Sequence, residues 1–146
     1  MYLVDTNIWL EVLLEQERKV ESYEFLLTVD SQLLHVTDFS LYSIGIILTR
    51  LEKLDAFDEF LSDIIIESGV NIARLIPECL RRIIEIEREF SLDFDDSYQY
   101  VAAERFDLYI VSFDSDFDKT KKGRTTPGEI LEDRSFSIQN NPEKED

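Results

Sequence analysis

"DDSYQYVAAERFDLYIVSFDSDF", residues 95–117, decides the fold. Its first half reads as a short helix with Tyr98, Val101 and Ala102 on one face. Its second half, "LYIVSF" (108–113), is an apolar run of strand length, continuous enough to be buried on both faces. Asp114 and Asp116 follow immediately. A helix feeding a fully buried strand is half of a parallel α/β unit. Ligands of such sheets bind outside the carboxyl ends of the strands, where these two aspartates lie.

The same alternation runs through the rest of the chain. "YLVD" (2–5) reads as a first strand, and "IWLEVLLEQE" as the helix after it. A second helix over about 19–29 carries Val20, Tyr23, Leu26 and Leu27 on one stripe. "LLHVT" (33–37) is a second strand. Asp38 caps the stretch "FSLYSIGIILTRL", apolar on most faces and so expected to be a buried helix. Asp55 opens a helix with Phe57, Phe60, Leu61, Ile64 and Ile65 at helical spacing. "VNIARLI" (70–76) is a third strand, and Pro77 starts a helix expected to bury Leu80, Ile83, Ile84 and Phe90. After residue 117 the spacing predicts one helical turn in "TPGEILED" and a short edge strand in "SFSI". The expected architecture is an α/β/α sandwich of three layers on a mostly parallel sheet of four to five strands. It is a single domain over residues 1–137, with 138–146 as a polar, disordered tail.

Charge narrows the function. The chain has 32 acidic and 15 basic residues, a net −17, which repels nucleic acid and anionic membranes over most of the surface. Divalent metals remain compatible because they bring their own charge. The single cysteine, Cys79, fits a reducing compartment and a structural place. "MYLVDTN" does not open like a signal peptide, and no apolar run has the length of a membrane span, so a cytoplasmic location is expected and a membrane partner is not. His35 falls inside the second strand and reads as structural.

The α/β topology sends Asp5, Asp38, Asp95, Asp96, Asp114 and Asp116 to one sheet edge. Taken singly, Asp5, Asp38, Asp55 and Asp96 are also good helix N-caps, since a carboxylate accepts the free amides of a first turn. Capping explains Asp114 less well, with a strand before it and a Lys/Gly loop after it. Grouped carboxylates repel, and a hard cation such as Mg²⁺ or Mn²⁺ relieves this. An EF-hand does not fit: counting from Asp114, the required glycine is Lys119 and the required glutamate is Thr125. A phospho-accepting receiver domain fits poorly, because Asp5 has no acidic neighbour and strand four ends in Ser112-Phe113 rather than lysine.

Three stretches in order, "YLVDTNIWL", "VTDFSLYSIGIIL" and "DDSYQYVAAERFDLYIVSFDSDF", resemble the PIN domain family, which includes VapC-type toxins. The resemblance implies metal-dependent hydrolysis of RNA phosphodiesters. Asp5, Asp96 and Asp114 would be the catalytic, metal-holding residues, on one or two Mg²⁺ or Mn²⁺ ions, with Asp116 and Asp38 as further ligands. Thr6, Asn7 and Ser112 stand in the family's supporting places. The implied partners are an RNA substrate and a basic antitoxin. The apolar helices at 39–51 and 56–66 suit a homodimer face as well as a core.

One departure matters. The family's usual glutamate in the helix after strand two is Ser43 here, a poor metal ligand. Asp38, about 7.5 Å back along a helix, is the nearest substitute. The alternative function is therefore a catalytically weakened PIN-like binding or regulatory module. Lys119, Lys121, Lys122 and Arg124 form the densest basic run and are the candidate phosphate contacts; they also suit a simple offset of local acid repulsion.

Overall fold

The computed structural model describes residues 1–140, with side chains through residue 135. Four short strands form one sheet: β1 Tyr2–Val4, β2 Leu34–Thr37, β3 Asn71–Ala73 and β4 Tyr109–Val111. Their order is β3-β2-β1-β4, and every pairing is parallel. Seven helices flank it among the described residues: α1 Thr6–Leu13, α2 Lys19–Thr28, α3 Asp38–Arg50, α4 Leu54–Phe60, α5 Leu80–Phe90, α6 Phe94–Phe106 and α7 Pro127–Asn140. The chain is thus the expected parallel α/β sandwich.

Strand periodicity makes the three layers. Adjacent side chains of a strand point to opposite faces. Val4, Leu34, Val36 and Val111 join Ile8, Trp9, Phe25, Ile44 and Phe60 in one core, under α1, α2, α3, α4 and α7. Leu3, Ala73 and Ile110 join Ile83, Ile86, Tyr98, Val101 and Leu108 in the other, under α5 and α6. Register follows the same logic: Leu3 lies opposite Ile110, and Val4 opposite Val111.

The structure corrects several expectations. The fifth strand is absent among the described residues: "SFSI" lies inside α7, which runs to Asn140. A reciprocal cap starts that helix, with the Glu129 carboxylate accepting from Thr126 N at 2.9 Å and the Thr126 hydroxyl accepting from Glu129 N at 3.3 Å. Ile130 then buries in the first core, so packing carries a helix through a sequence of strand character. Of the expected tail, 138–140 is helix, and 141–146 lies outside the described residues.

Helix faces also differ. In α5 the buried pair is Ile83 and Ile86, whereas Leu80 and Ile84 are exposed. In α2, Ser22 and Phe25 are buried, while Val20, Tyr23 and Leu27 point outward. Helix α3 is buried on one face only, at Ser40, Leu41, Ile44 and Leu48; Tyr42 and Ile46 are exposed. Asp55 sits in the first turn of α4, which begins at Leu54, and the helix continues as wide π-type turns over Leu61–Glu67. Cys79 is half-buried in the tight turn before α5. His35 lies half-buried in β2, where burial lowers its pKa and favours the neutral ring.

The α5 correction is directly measurable. Ile86→Ala should destabilise the protein by about 2–5 kcal/mol through a core cavity, and Ile84→Ala by less than about 1 kcal/mol. Urea denaturation of the two variants checks this; equal losses would place the buried face elsewhere.

Candidate metal centre

The sheet's carboxyl edge opens into a cleft of about 240 Å³, lined by Asp5, Thr6, Asn7, Ser43, Asp95, Asp96, Gln99 and Asp114, with Leu10, Phe39 and Ile47 on its apolar side. Asp5 and Asp114, which follow β1 and β4, thus meet residues of α1, α3 and α6 there. Asp5 is the N-cap of α1, its extended backbone continuing β1 and its Oδ1 accepting from Thr6 N at 2.8 Å. Asp96 stands in the first turn of α6, where the cap is Asp93, whose Oδ1 accepts from Asp96 N at 3.0 Å. Asp114 caps the tight turn Ser115–Lys119 and accepts from Asp116 N at 2.8 Å.

Asp5 is buried and held by neutral donors. Gln99 Nε2 donates to its Oδ1 at 2.9 Å, and the Ser112 hydroxyl donates to its Oδ2 at 2.6 Å. Ser112 is itself fixed, accepting from Asn7 Nδ2 at 3.1 Å and from Asp114 N at 3.0 Å. The Gln99 carbonyl accepts from the Thr37 hydroxyl at 2.7 Å, and its amide also donates to Ser40 Oγ at 2.8 Å. With these partners the amide orientation is determined, because a flipped amide would set oxygen against oxygen at Asp5. Thr6 closes the network through its hydroxyl to Ser40 Oγ at 2.8 Å.

Gln99 was not among the residues expected at the site. Its signal in the sequence is its position three residues after Asp96, one helical turn along the same face. Reading "YQYVAA" as packing residues conceals it.

The carboxylates act on one another. Burial raises the Asp5 pKa, opposed by the Gln99, Ser112 and Thr6 hydrogen bonds and reinforced by the Asp114 charge. Burial, then the charges of Asp114, Asp93 and Asp5, push Asp96 up to about 8. Oxygens of Asp96, Asp114 and Asp116 lie within 4.8 Å of one another. This spacing and an all-oxygen donor set fit a hard divalent cation, whose oxygen ligands sit about 2.0–2.6 Å from the ion. Asp5 faces the same cleft; its Oδ1 accepts from both Thr6 N and Gln99 Nε2, and its Oδ2, with one hydrogen bond from Ser112, keeps a lone pair.

The other expected residues are placed as follows. Ser43 lines the cleft and brings no carboxylate. Asp38 does not line it: its Oδ1 accepts from the Tyr98 hydroxyl at 2.6 Å and from Phe39 N at 2.9 Å. The basic run folds as a loop returning to β4, where Thr125 N donates to Ile110 O at 2.8 Å. Lys119 Nζ lies 3.5 Å from Asp116, Lys121 Nζ 3.8 Å from Glu89, and Arg124 Nε 3.1 Å from Asp118. The backbone of Lys122 hydrogen-bonds to Tyr100. None of the four lines the cleft. Asp118 is exposed and paired with Arg124.

The model for the PIN domain matches residues 2–123. The chain belongs to the PIN domain family. Solved structures agree in fold. A toxin–antitoxin complex from Klebsiella pneumoniae aligns at 20% identity and TM-score 0.69, covering 87% of this chain and 98% of that one. VapC20 of Mycobacterium tuberculosis, a sarcin–ricin-loop-cleaving toxin, aligns at 15% and 0.73, covering 87% and 100%. FitAcB from Neisseria gonorrhoeae aligns at 17% and 0.72, covering 87% and 98%. No curated protein matches by sequence. Among the described residues of this PIN domain, no helix is long and apolar enough to cross a membrane.

The raised Asp96 pKa gives a signed prediction. A carboxyl with an ordinary pKa of 3.8 and a folded value of about 8 contributes stability below pH 4 that is lost as pH rises to about 8. With chelator present, wild type should therefore lose melting temperature from pH 5 to pH 8 more steeply than Asp96→Asn. Mn²⁺ should restore more at pH 8 than at pH 5. Parallel slopes for the two proteins in thermal scans would contradict the assignment.

Proposed function

We propose that this PIN domain is a divalent-metal-dependent ribonuclease that hydrolyses RNA phosphodiesters in the cytoplasm, as the toxin of a toxin–antitoxin pair. The observation that carries the reading is the convergence of Asp5, Asp96 and Asp114, from three distant segments, on one cleft. Asp96, Asp114 and Asp116 would hold Mg²⁺ or Mn²⁺, with Asp5 completing the set. A bound ion supplies a water of lowered pKa, hence hydroxide near neutral pH. The chain's own part is orientation: Gln99, Ser112 and the Thr6 amide fix Asp5 against the repulsion of its neighbours. In this reading Lys119, Lys121, Lys122 and Arg124 serve as rim contacts to phosphate. Exposed ion pairs are weak enough to exchange one anion for another.

A second feature supports a basic antitoxin partner. A groove of about 390 Å³ between α1, α2 and α4 is lined by Trp9, Leu13, Leu26, Leu27, Phe60 and Ile64. Trp9 is buried, yet its Nε1 has no hydrogen-bond partner. Glu15, Glu59 and Asp63 also line it. An apolar segment flanked by lysines or arginines matches both properties. The exposed Tyr42 and Ile46 on α3 are what a homodimer would cover.

Ser43 favours a second reading, a PIN domain weakened as a nuclease and kept for binding, because α3 supplies no carboxylate to the cleft and Asp38 is held by Tyr98.

Two experiments separate the readings. Wild type should cleave RNA with Mg²⁺ or Mn²⁺, and Asp5→Asn and Asp96→Asn should each lose at least about a hundredfold, as expected when charge stabilisation of the reacting groups is removed. Equal background from all three would sink the nuclease reading. Ser43→Glu should bind Mn²⁺ more tightly in calorimetry and cleave faster if the missing carboxylate limits activity; unchanged affinity would show that the site is already complete.

A further inference from the structure

Three aromatic rings stand beside the acidic cleft. Phe39, at the start of α3, lines the cleft together with Asp5, Asp96 and Asp114. Its ring centroid lies 5.9 Å from that of Phe94 and 5.2 Å from that of Tyr98, and Phe94 lies 6.2 Å from Tyr98. Phe94 is the first residue of α6, directly before Asp95 and Asp96, and it is 45% exposed. Tyr98 is buried, with its hydroxyl donating to Asp38 at 2.6 Å and accepting from Leu75 N at 3.3 Å. A solvent-reachable ring therefore rests on two rings, one of which is anchored at its far end.

Charge makes this cluster informative. No lysine or arginine lines the cleft, and Lys119, Lys121 and Arg124 each have a carboxylate nearby. Inside the cleft, beyond those rim cations, a polyanion approaching a chain of net charge −17 gains from an attraction that does not depend on phosphate. Stacking of a base on an aromatic face is such an attraction, available for any base. It requires a free face. Bases within a duplex are covered on both faces by their neighbours, whereas an unpaired, splayed base is not.

We propose that Phe94, backed by Phe39 and Tyr98, is a base-stacking platform that seats an unpaired nucleotide next to the carboxylates. The identity of the polymer rests on the ribonuclease reading; the platform itself is tested by binding.

A short fluorescein-labelled RNA, single-stranded or annealed to its complement, is titrated with the full chain by fluorescence anisotropy. Ca²⁺ replaces Mg²⁺, so that binding is read without turnover. Wild type should bind the single strand more tightly than the duplex. Phe94→Ala and Phe94→Leu should each weaken single-strand binding about tenfold, and Phe94→Trp should retain it. Phe94→Leu keeps an apolar contact with Phe39, and an unchanged melting temperature confirms its fold. Wild-type affinity in the leucine variant, equal losses for single strand and duplex, or no single-strand binding by wild type would each overturn the platform. Failure of wild type to cleave in Mg²⁺ or Mn²⁺, with Phe94-dependent binding intact, would remove the nuclease reading and leave the platform. Cleavage with Phe94-independent binding would do the reverse.

Discussion

Mutual repulsion among carboxylates at the sheet's carboxyl edge is the constraint on which the rest of this structure depends. Parallel pairing of β1 with β4 brings Asp5 and Asp114 to the same edge, and the start of α6 adds Asp96. The net charge of −17 gives no background relief. A fold that gathers these groups must either leave them protonated or supply a cation. The rise of the Asp96 pKa to about 8 expresses that choice, because such a carboxyl keeps its proton at neutral pH until a cation arrives.

Asp5 is treated differently from Asp96. Its donors are all uncharged: an amide, a hydroxyl and a backbone N–H. Lysine or arginine in those places would neutralise the carboxylate and compete with a metal for it. Neutral donors fix direction while leaving the negative charge available. Ser112 gives this arrangement its rigidity, since one hydroxyl joins Asp5, Asn7 and the backbone of Asp114. Of the cations of the following loop, Lys121 and Arg124 are paired away from Asp5, on Glu89 and Asp118, and Lys119 stands 3.5 Å from Asp116.

What could be read in the sequence follows from which patterns are local. Apolar runs of strand length marked the four strands, their alternation with helices implied parallel pairing, and aspartates at strand ends then pointed to one edge without any knowledge of contacts. That reasoning took in Asp5, Asp96 and Asp114 but also Asp38, which does not line the cleft; the resemblance singled out the three. Gln99 was not, because its function depends on a partner 94 residues away and on Thr37 from β2. The α5 face was misjudged because Ile83, Ile84 and Ile86 are equivalent in composition, and only packing in the core beneath α5 and α6 selects Ile83 and Ile86. "SFSI" has strand composition, yet the reciprocal cap at Thr126 and Glu129 and the burial of Ile130 start a helix that continues through it. The lysines read as a patch because sequence shows proximity to Asp114 and hides Glu89 of α5, which faces Lys121.

The departure at Ser43 and the aromatic cluster are connected through one residue. Asp38 is the acidic group nearest in sequence to the vacant glutamate place, and its geometry could have been free to serve the cleft. Instead the Tyr98 hydroxyl occupies its Oδ1 at 2.6 Å, and burial together with that hydrogen bond raises the tyrosine pKa further, keeping the phenol a donor. The same bond immobilises the ring on which Phe39 and Phe94 rest. Asp38 therefore acts on the apolar wall of the cleft, and the charge facing a metal stays with Asp5, Asp96, Asp114 and Asp116. With serine in the place of the family's usual glutamate, the site would hold a metal with less charge, and the proposed platform, gripping a base without using phosphate, would compensate at the step where that loss would matter, the seating of the substrate.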